Sequence, residues 1–220
     1  MAGAPSNSPA LERPIWNPRL CVGMGYGESK WVAETLLLRA HEAVGLRTGI
    51  VRVGQIAGDT RVGGWNKQEW VGAIARLSQI VKAIPDRDEP VSWVPVDIVA
   101  AALIDMARTE EPVFNLVAPT PSDWKTVFGA FAQRLDLPII GYEEWIARVS
   151  AAAESNTSEE NVRPFALAGF FQAGVFGEGT AISTERACQA SPALAHMSPI
   201  GEKDVLLYID FWKRIGFLHA

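Results

Sequence analysis

Between Tyr26 and Val53 the chain runs through a helical period, a glycine stop and a short β-branched segment, and that order commits it to α/β architecture. Ala33, Leu37, Ala40 and Val44 recur at the three- and four-residue spacing of one helix face, and Gly45 is placed to end the helix in a left-handed conformation. Ile50-Val51-Arg52-Val53 then reads as a strand, followed by the glycine-spaced loop Gly54-Gln55-Ile56-Ala57-Gly58. Tyr26 and Lys30 extend the apolar stripe backward. The face expected to pack inward therefore carries a phenol and an ammonium at its start.

That pairing has a chemical use. An ammonium close to a phenol favours the phenolate, so the phenol can give its proton to an oxygen that becomes negative during a reaction. Glycines at positions 25 and 27 leave room for a ligand near the helix start, at a cost in helix stability. The stretch Gly23-Met24-Gly25-Tyr26-Gly27 is not a dinucleotide loop: the fingerprint needs a third glycine where Glu28 stands. It also needs a preceding strand, for which only Leu20-Cys21-Val22 is available.

At 220 residues and 48% hydrophobic, the chain has material for one sizeable core or two small ones. A net charge of −5 without any long block of Lys or Arg argues against nucleic-acid binding. Cys21 and Cys188 have neither CxxC spacing nor the density of a secreted scaffold, which fits a reduced, cytoplasmic protein. No charged-then-apolar signal segment follows Met1, and no apolar run of about 20 residues is present to span a membrane. His41, His196 and His219 share no zinc-ligand spacing, so no metal is expected, and no Gly-x-Ser-x-Gly elbow offers a hydrolase serine.

The remaining segments read as follows. Residues 1–19, with prolines at 5, 9, 14 and 18, form an arm without regular structure, and Trp16 is its docking residue. Asn66 with Glu69 fits a capping box, and Trp70, Ile74, Leu77, Val81 and Ile84 mark one helix face. Trp65, in a glycine-rich loop, either contacts substrate or orders that loop. Val91 to Pro95 is a strand, Asp97 caps the next helix, and Val113 to Val117 is a further strand. Beyond Pro121 the chain becomes mainly helical: Trp124, Val127, Phe128 and Phe131 share a face, and Trp145, Ile146 and Val149 start another helix. Residues 154–161 are a polar loop. Phe165, Phe170, Phe171 and Phe176, interleaved with glycines, suit an acyl pocket or close helix packing. The last helix, about Glu202 to Ile215, buries Val205, Ile209 and Trp212, with Phe217 folding back past Gly216.

Tyr26-Gly27-Glu28-Ser29-Lys30-Trp31-Val32-Ala33-Glu34 resembles the catalytic helix of extended short-chain dehydrogenases/reductases. More narrowly, it is similar to the thioester reductase domains at the carboxyl end of fungal adenylate-forming reductases, nonribosomal-peptide-synthetase-like enzymes and some polyketide synthases. The likeness continues, in order, through Val51 to Gly58, Gly64-Trp65-Asn66, Trp93 to Asp97 and Val113 to Val117. It implies an α/β fold: the remnant of a Rossmann-type extended reductase sheet, plus a mainly helical C-terminal substrate-binding subdomain, with the N-terminal nucleotide-binding half absent. The corresponding division is 1–19 arm, 20–118 Rossmann-like part with a substrate-side insertion around 60–90, and 119–220 helical substrate and carrier subdomain.

By the same resemblance, Tyr26 is the acid of an NADPH-dependent carbonyl reduction, and Lys30 assists it and holds the cofactor ribose. Gly54, Gln55 and Ile56 run beside the nicotinamide, and Met24, Gly25, Trp65, Asn66 and Phe170 are substrate contacts. The partner is a carrier domain bearing an acyl or aminoacyl phosphopantetheine. Neither the family's pyrophosphate loop nor its catalytic Ser/Thr has an equivalent before Tyr26, so the chain is expected to be the carboxyl-terminal part of a reductase domain. It is then expected to bind NADPH weakly or not at all when alone and to self-associate through an exposed sheet edge. Two alternatives stand beside this: a non-catalytic carrier-binding domain, and an extended reductase acting on a free carbonyl compound.

Overall fold

The computed structural model describes residues 9–23, 25–155, 162–172 and 181–219. Along the chain the elements are α1 (Gly25–Val44), β1 (Ile50–Val53), β2 (Ile56–Ala57), α2 (Trp70–Val81), β3 (Ile84–Asp86), β4 (Pro90–Val91), β5 (Val94–Pro95) and α3 (Val96–Met106). There follow β6 (Val113–Leu116), β7 (Ser122–Asp123), α4 (Trp124–Leu135), β8 (Ile139–Gly141), α5 (Tyr142–Ser155), α6 (Val162–Ala166), α7 (Ala168–Gln172), α8 (Glu185–Ala190), α9 (Pro192–Ala195) and α10 (Glu202–Arg214). The chain forms two compact units: one from residues within 1–56, 92–120 and 179–198, the other from residues within 57–91, 121–178 and 199–220. The linear division at 118/119 falls close to one crossing between them, but each unit is discontinuous in sequence.

In the first unit β1 and β6 pair in parallel, from Ile50 opposite Val113 to Val53 opposite Leu116. The strand alternation then separates two clusters. Val113 meets Ile50 and Leu38 of α1, while Phe114 and Leu116, two residues apart, pack with Val99, Ala102 and Met106 of α3 and with Ala187 and Leu194 of α8 and α9. Helices thus cover the strand pair from both sides. A continuous Rossmann sheet is not formed: among the described residues the strands make four two-stranded ladders. Most of these strands are two or three residues long, and Pro90 and Pro95 have no N–H to give to a ladder.

The packing face of α1 differs from the expected one. Leu38 is its buried residue, flanked by the part-buried Trp31 and Glu34, whereas Tyr26, Lys30, Ala33, Leu37 and Val44 face solvent. Polar groups on the packed side have partners: Glu34 takes Arg52, and the Trp31 indole donates to the Ile15 carbonyl at 2.7 Å. From residue 9 onward the arm is also more ordered than its prolines suggest. Ala10 bridges to Ile182 and residues 18–20 form a 3-10 turn, but Trp16 is exposed, and the docking side chain is Glu12. In α3 the N-cap is Pro95, so Asp97 serves as a first-turn acid near the positive helix end instead of a cap.

The second unit has an aromatic core. Trp124, Val127, Phe128 and Phe131 are all buried on α4, as their spacing predicts, and Asp123 caps that helix by accepting from Thr126 N at 2.6 Å. On α10, Val205, Tyr208, Ile209 and Trp212 point inward. Gly216 takes φ +72°, and Phe217 N donates to Trp212 O at 2.8 Å, closing the helix as expected. The start of α2 is shifted: Asn66 accepts from Gln68 N, which makes a turn, and Glu69 becomes the N-cap, its carboxylate taking the Trp65 indole N–H at 3.3 Å instead of capping the helix. At the other end Lys82 adopts a left-handed φ of 57°, so Ile84 opens β3, which pairs in parallel with β8. The polar loop 156–161 and Phe176 lie outside the described residues.

Tyr142 gives this unit a pH dependence. Its hydroxyl donates to Phe171 O at 2.7 Å beneath the Arg87 guanidinium, and burial pushes its pKa up to about 12, against the opposing pull of Arg87. The fold therefore prefers the neutral phenol. Its contribution is complete below the ordinary tyrosine value of 10.0 and is lost as pH rises through about 12. Denaturant titrations across that window should show wild-type stability falling more steeply than that of Tyr142→Phe. Parallel curves would remove Tyr142 as the titrating group.

Candidate active site

At the amino end of α1 the spacing of four brings phenol and ammonium together: Lys30 Nζ lies 5.3 Å from the centroid of the Tyr26 ring. The pair is accessible, with Tyr26 70% exposed. The approach to the helix is folded by Glu28, whose carboxylate accepts from Gly23 N at 3.0 Å, and Ser29 Oγ donates to Tyr26 O at 2.7 Å. Gly25 opens the helix and is exposed. Met24 lies outside the described residues.

The loop after β1 is pinned on the same unit. Gly54 N donates to Leu116 O at 3.0 Å, extending the β1–β6 ladder, and Gln55 O accepts from Val94 N at 3.0 Å. The Gln55 amide folds onto its neighbour, Nε2 donating to Ile56 O at 2.7 Å, and Ile56 packs against the α3 side of the core. A Cβ on Gly54 would sit 2.7 Å from Val117 Cγ1. Gly54→Ala should therefore force the loop or Val117 to move and destabilise the chain by about 1–3 kcal/mol. The double change Gly54→Ala/Val117→Ala should recover part of that loss in thermal melts. Full stability of the single variant would show that the contact does not hold the loop.

The other expected site residues belong to the second unit. Asp59 accepts from Arg61 N, Val62 N and Gly64 N, and these bonds, that from Val62 foremost, hold its carboxyl below the usual range. Gly63 has φ +71°, and a Cβ there would lie 2.2 Å from Leu207 O, so only glycine fits. This turn delivers Trp65 into the core, 5% exposed, stacked on Trp212 at 5.5 Å and edge-on to Tyr208 at 4.9 Å. Of its two sequence readings, loop ordering is the one this packing serves; the ring presents no free face. Asn66 is exposed beside it. Phe170 on α7 is partly exposed, while its neighbour Phe171 is buried edge-on to Trp145 at 5.6 Å.

Sequence reading missed the charged pair beneath α1. Glu34 stands one turn beyond Lys30 and takes the Arg52 guanidinium through Nε at 2.9 Å and Nη2 at 2.7 Å. The local signal was only the regular spacing 26, 30, 34; the partner lies across a helix, a loop and half a strand.

The family model for male sterility protein, an NAD-binding family, matches residues 17–103. Adenylate-forming reductase Nps10 of Heterobasidion annosum is 34% identical over 96% of this chain, and non-reducing polyketide synthase pgmA of Aspergillus terreus is 32% identical over 88%. The chain spans only 21% and 9% of those two proteins. Among solved structures, the terminal R domain from the myxalamid PKS-NRPS biosynthetic pathway superposes with a TM-score of 0.79 at 24% identity, over 100% of this chain and 57% of that one. A thiolation-reductase di-domain from an archaeal non-ribosomal peptide synthetase gives 0.73 at 18% identity, over 96% of this chain and 45% of that one.

Proposed function

We propose, for a chain that has a fungal reductase-domain fold related to the thioester reductase domains of nonribosomal peptide and polyketide synthases, that it forms the carboxyl-terminal part of an NADPH-dependent thioester reductase. The observation that carries this reading is the exposed Tyr26–Lys30 pair on a helix whose following strand leads into the pinned Gly54 loop. The Tyr26 hydroxyl gives its proton to the thioester carbonyl oxygen as that oxygen becomes negative. Lys30 stabilises the phenolate left behind and would hold the ribose hydroxyls of the cofactor. Gly54, Gln55 and Ile56 would hold the nicotinamide end, in a loop kept close against Val117 by the missing Cβ of Gly54. NADPH, when bound, supplies the hydride. The substrate is an acyl or aminoacyl group on the phosphopantetheine arm of a carrier domain, the arm leaves as its thiol, and the acyl group is released as an aldehyde. Gly25, at the start of α1, is the residue we assign to substrate.

The residues of this chain include no glycine-rich cradle for the cofactor pyrophosphate. Isothermal titration of the chain alone with NADPH is therefore expected to show no saturable binding at micromolar concentrations; a micromolar isotherm would mean that it builds a nucleotide site of its own. The functional test compares the chain alone with the chain joined to the nucleotide-binding half of the Heterobasidion annosum reductase, following NADPH oxidation with an acyl thioester. Turnover by the joined protein supports the reading, and its failure to turn over refutes it.

A further inference from the structure

We infer that the segment from Ala10 to Ile15, acting with Arg52, is a strap that sets the position of the Tyr26–Lys30 helix against the Gly54 loop; its catalytic consequence rests on the reductase reading. Arg52 is the hub. It stands on β1, two residues before Gly54, and both oxygens of Glu34 on α1 accept from its guanidinium. The same group reaches the arm, Nη1 to Leu11 O at 3.4 Å and Nη2 to Arg13 O at 3.2 Å. With side-chain exposures of 10% for Arg52 and 18% for Glu34, the pair is largely withdrawn from water. A two-pronged, desolvated contact of this kind fixes direction as well as distance, and a lysine has one point charge to offer in its place.

The arm is itself anchored, so the hub has something rigid to pull against. Glu12 is 4% exposed, and its carboxylate accepts from Asn115 N on β6 at 3.0 Å, Arg186 N at 2.6 Å and Ala187 N at 3.0 Å. Ala10 N donates to Ala181 O, and Ser183 N returns a bond to Ala10 O. Further along, Ile15 O accepts from the Trp31 indole on α1. One peptide thus holds α1 at two places, Trp31 and, through Arg52, Glu34, while gripping the strand pair and the start of α8. Tyr26 and Lys30 lie on the turns of α1 just before those two attachment points. A shift of about 1 Å in a reacting group can cost about 100-fold in rate, so the strap matters more for chemistry than for folding.

The test uses Arg52→Lys, which keeps charge but loses the fork, and the milder Trp31→Phe, which keeps the ring but loses the bond to Ile15 O. In the isolated chain, hydrogen exchange of α1 amides from Lys30 to Leu38 should accelerate about tenfold in either variant, with α4 and α10 unchanged. In the joined reductase, kcat should fall about 10- to 100-fold while KM for thioester and NADPH stays within about twofold. Faster exchange with unchanged kcat would reduce the strap to a structural clasp and overturn the proposal, as would unchanged exchange in both variants. If the wild-type joined protein does not turn over, the reductase reading fails separately, and the exchange result alone decides the strap.

Discussion

Tyr26→Phe is expected to lower thioester reduction by the joined protein between about 100- and 10,000-fold, the range a positioned general acid contributes. The substitution keeps the ring that lies beside Lys30 and removes only the hydroxyl. Because that ring is mostly solvent-exposed, no core contact is lost, and the melting temperature should not move. The loss should appear in kcat, with KM for the thioester little changed, since the hydroxyl acts on charge that develops after binding. Undiminished turnover in steady-state assays would place the proton donor elsewhere and remove the central residue of the proposed mechanism.

The largest stability effect is expected at Trp212. Its ring is 0% exposed, stacked on Trp65 at 5.5 Å and Phe131 at 6.2 Å and edge-on to Phe217 at 6.0 Å. Trp212→Ala should cost about 3–5 kcal/mol through the cavity it opens. It also removes the indole N–H that donates to Trp65 O at 3.0 Å, leaving that carbonyl in the core without its donor. Urea denaturation followed by far-ultraviolet circular dichroism reads the loss. Trp16→Ala is the control: Trp16 is exposed with Arg39 above its ring, and its removal should change stability by well under 1 kcal/mol. Similar midpoints for the two variants would mean that the stack does not organise its unit.

Legibility in the sequence followed the source of the burial. On α4 and α10 the packed residues are apolar and recur at helical spacing, so pattern alone located them. The packed side of α1 carries Trp31 and Glu34 beside Leu38, and its apolar residues Leu37 and Val44 stay outside, so the same pattern pointed to the wrong side. A carboxylate reads as solvent-facing until its partner is known, and Arg52 gave no local hint of being that partner. Glu12 was beyond reach for the same reason, since its three donors lie more than a hundred positions away. The Tyr26–Lys30 contact was legible because it needs only the helix period. The shifted start of α2 shows the limit of short motifs: Asn66 with Glu69 satisfies a capping-box pattern, yet the asparagine closes a turn one step earlier.

The interleaving of the two units has a consequence for how such a chain can change over generations. Each unit is assembled from three stretches of sequence. A single recombination event falling between residues 57 and 198 would therefore hand both units a mixture of parental segments, and neither would inherit a matched core. Anyone wishing to graft the aromatic unit of one relative onto another must exchange residues 57–91, 121–178 and 199–220 together.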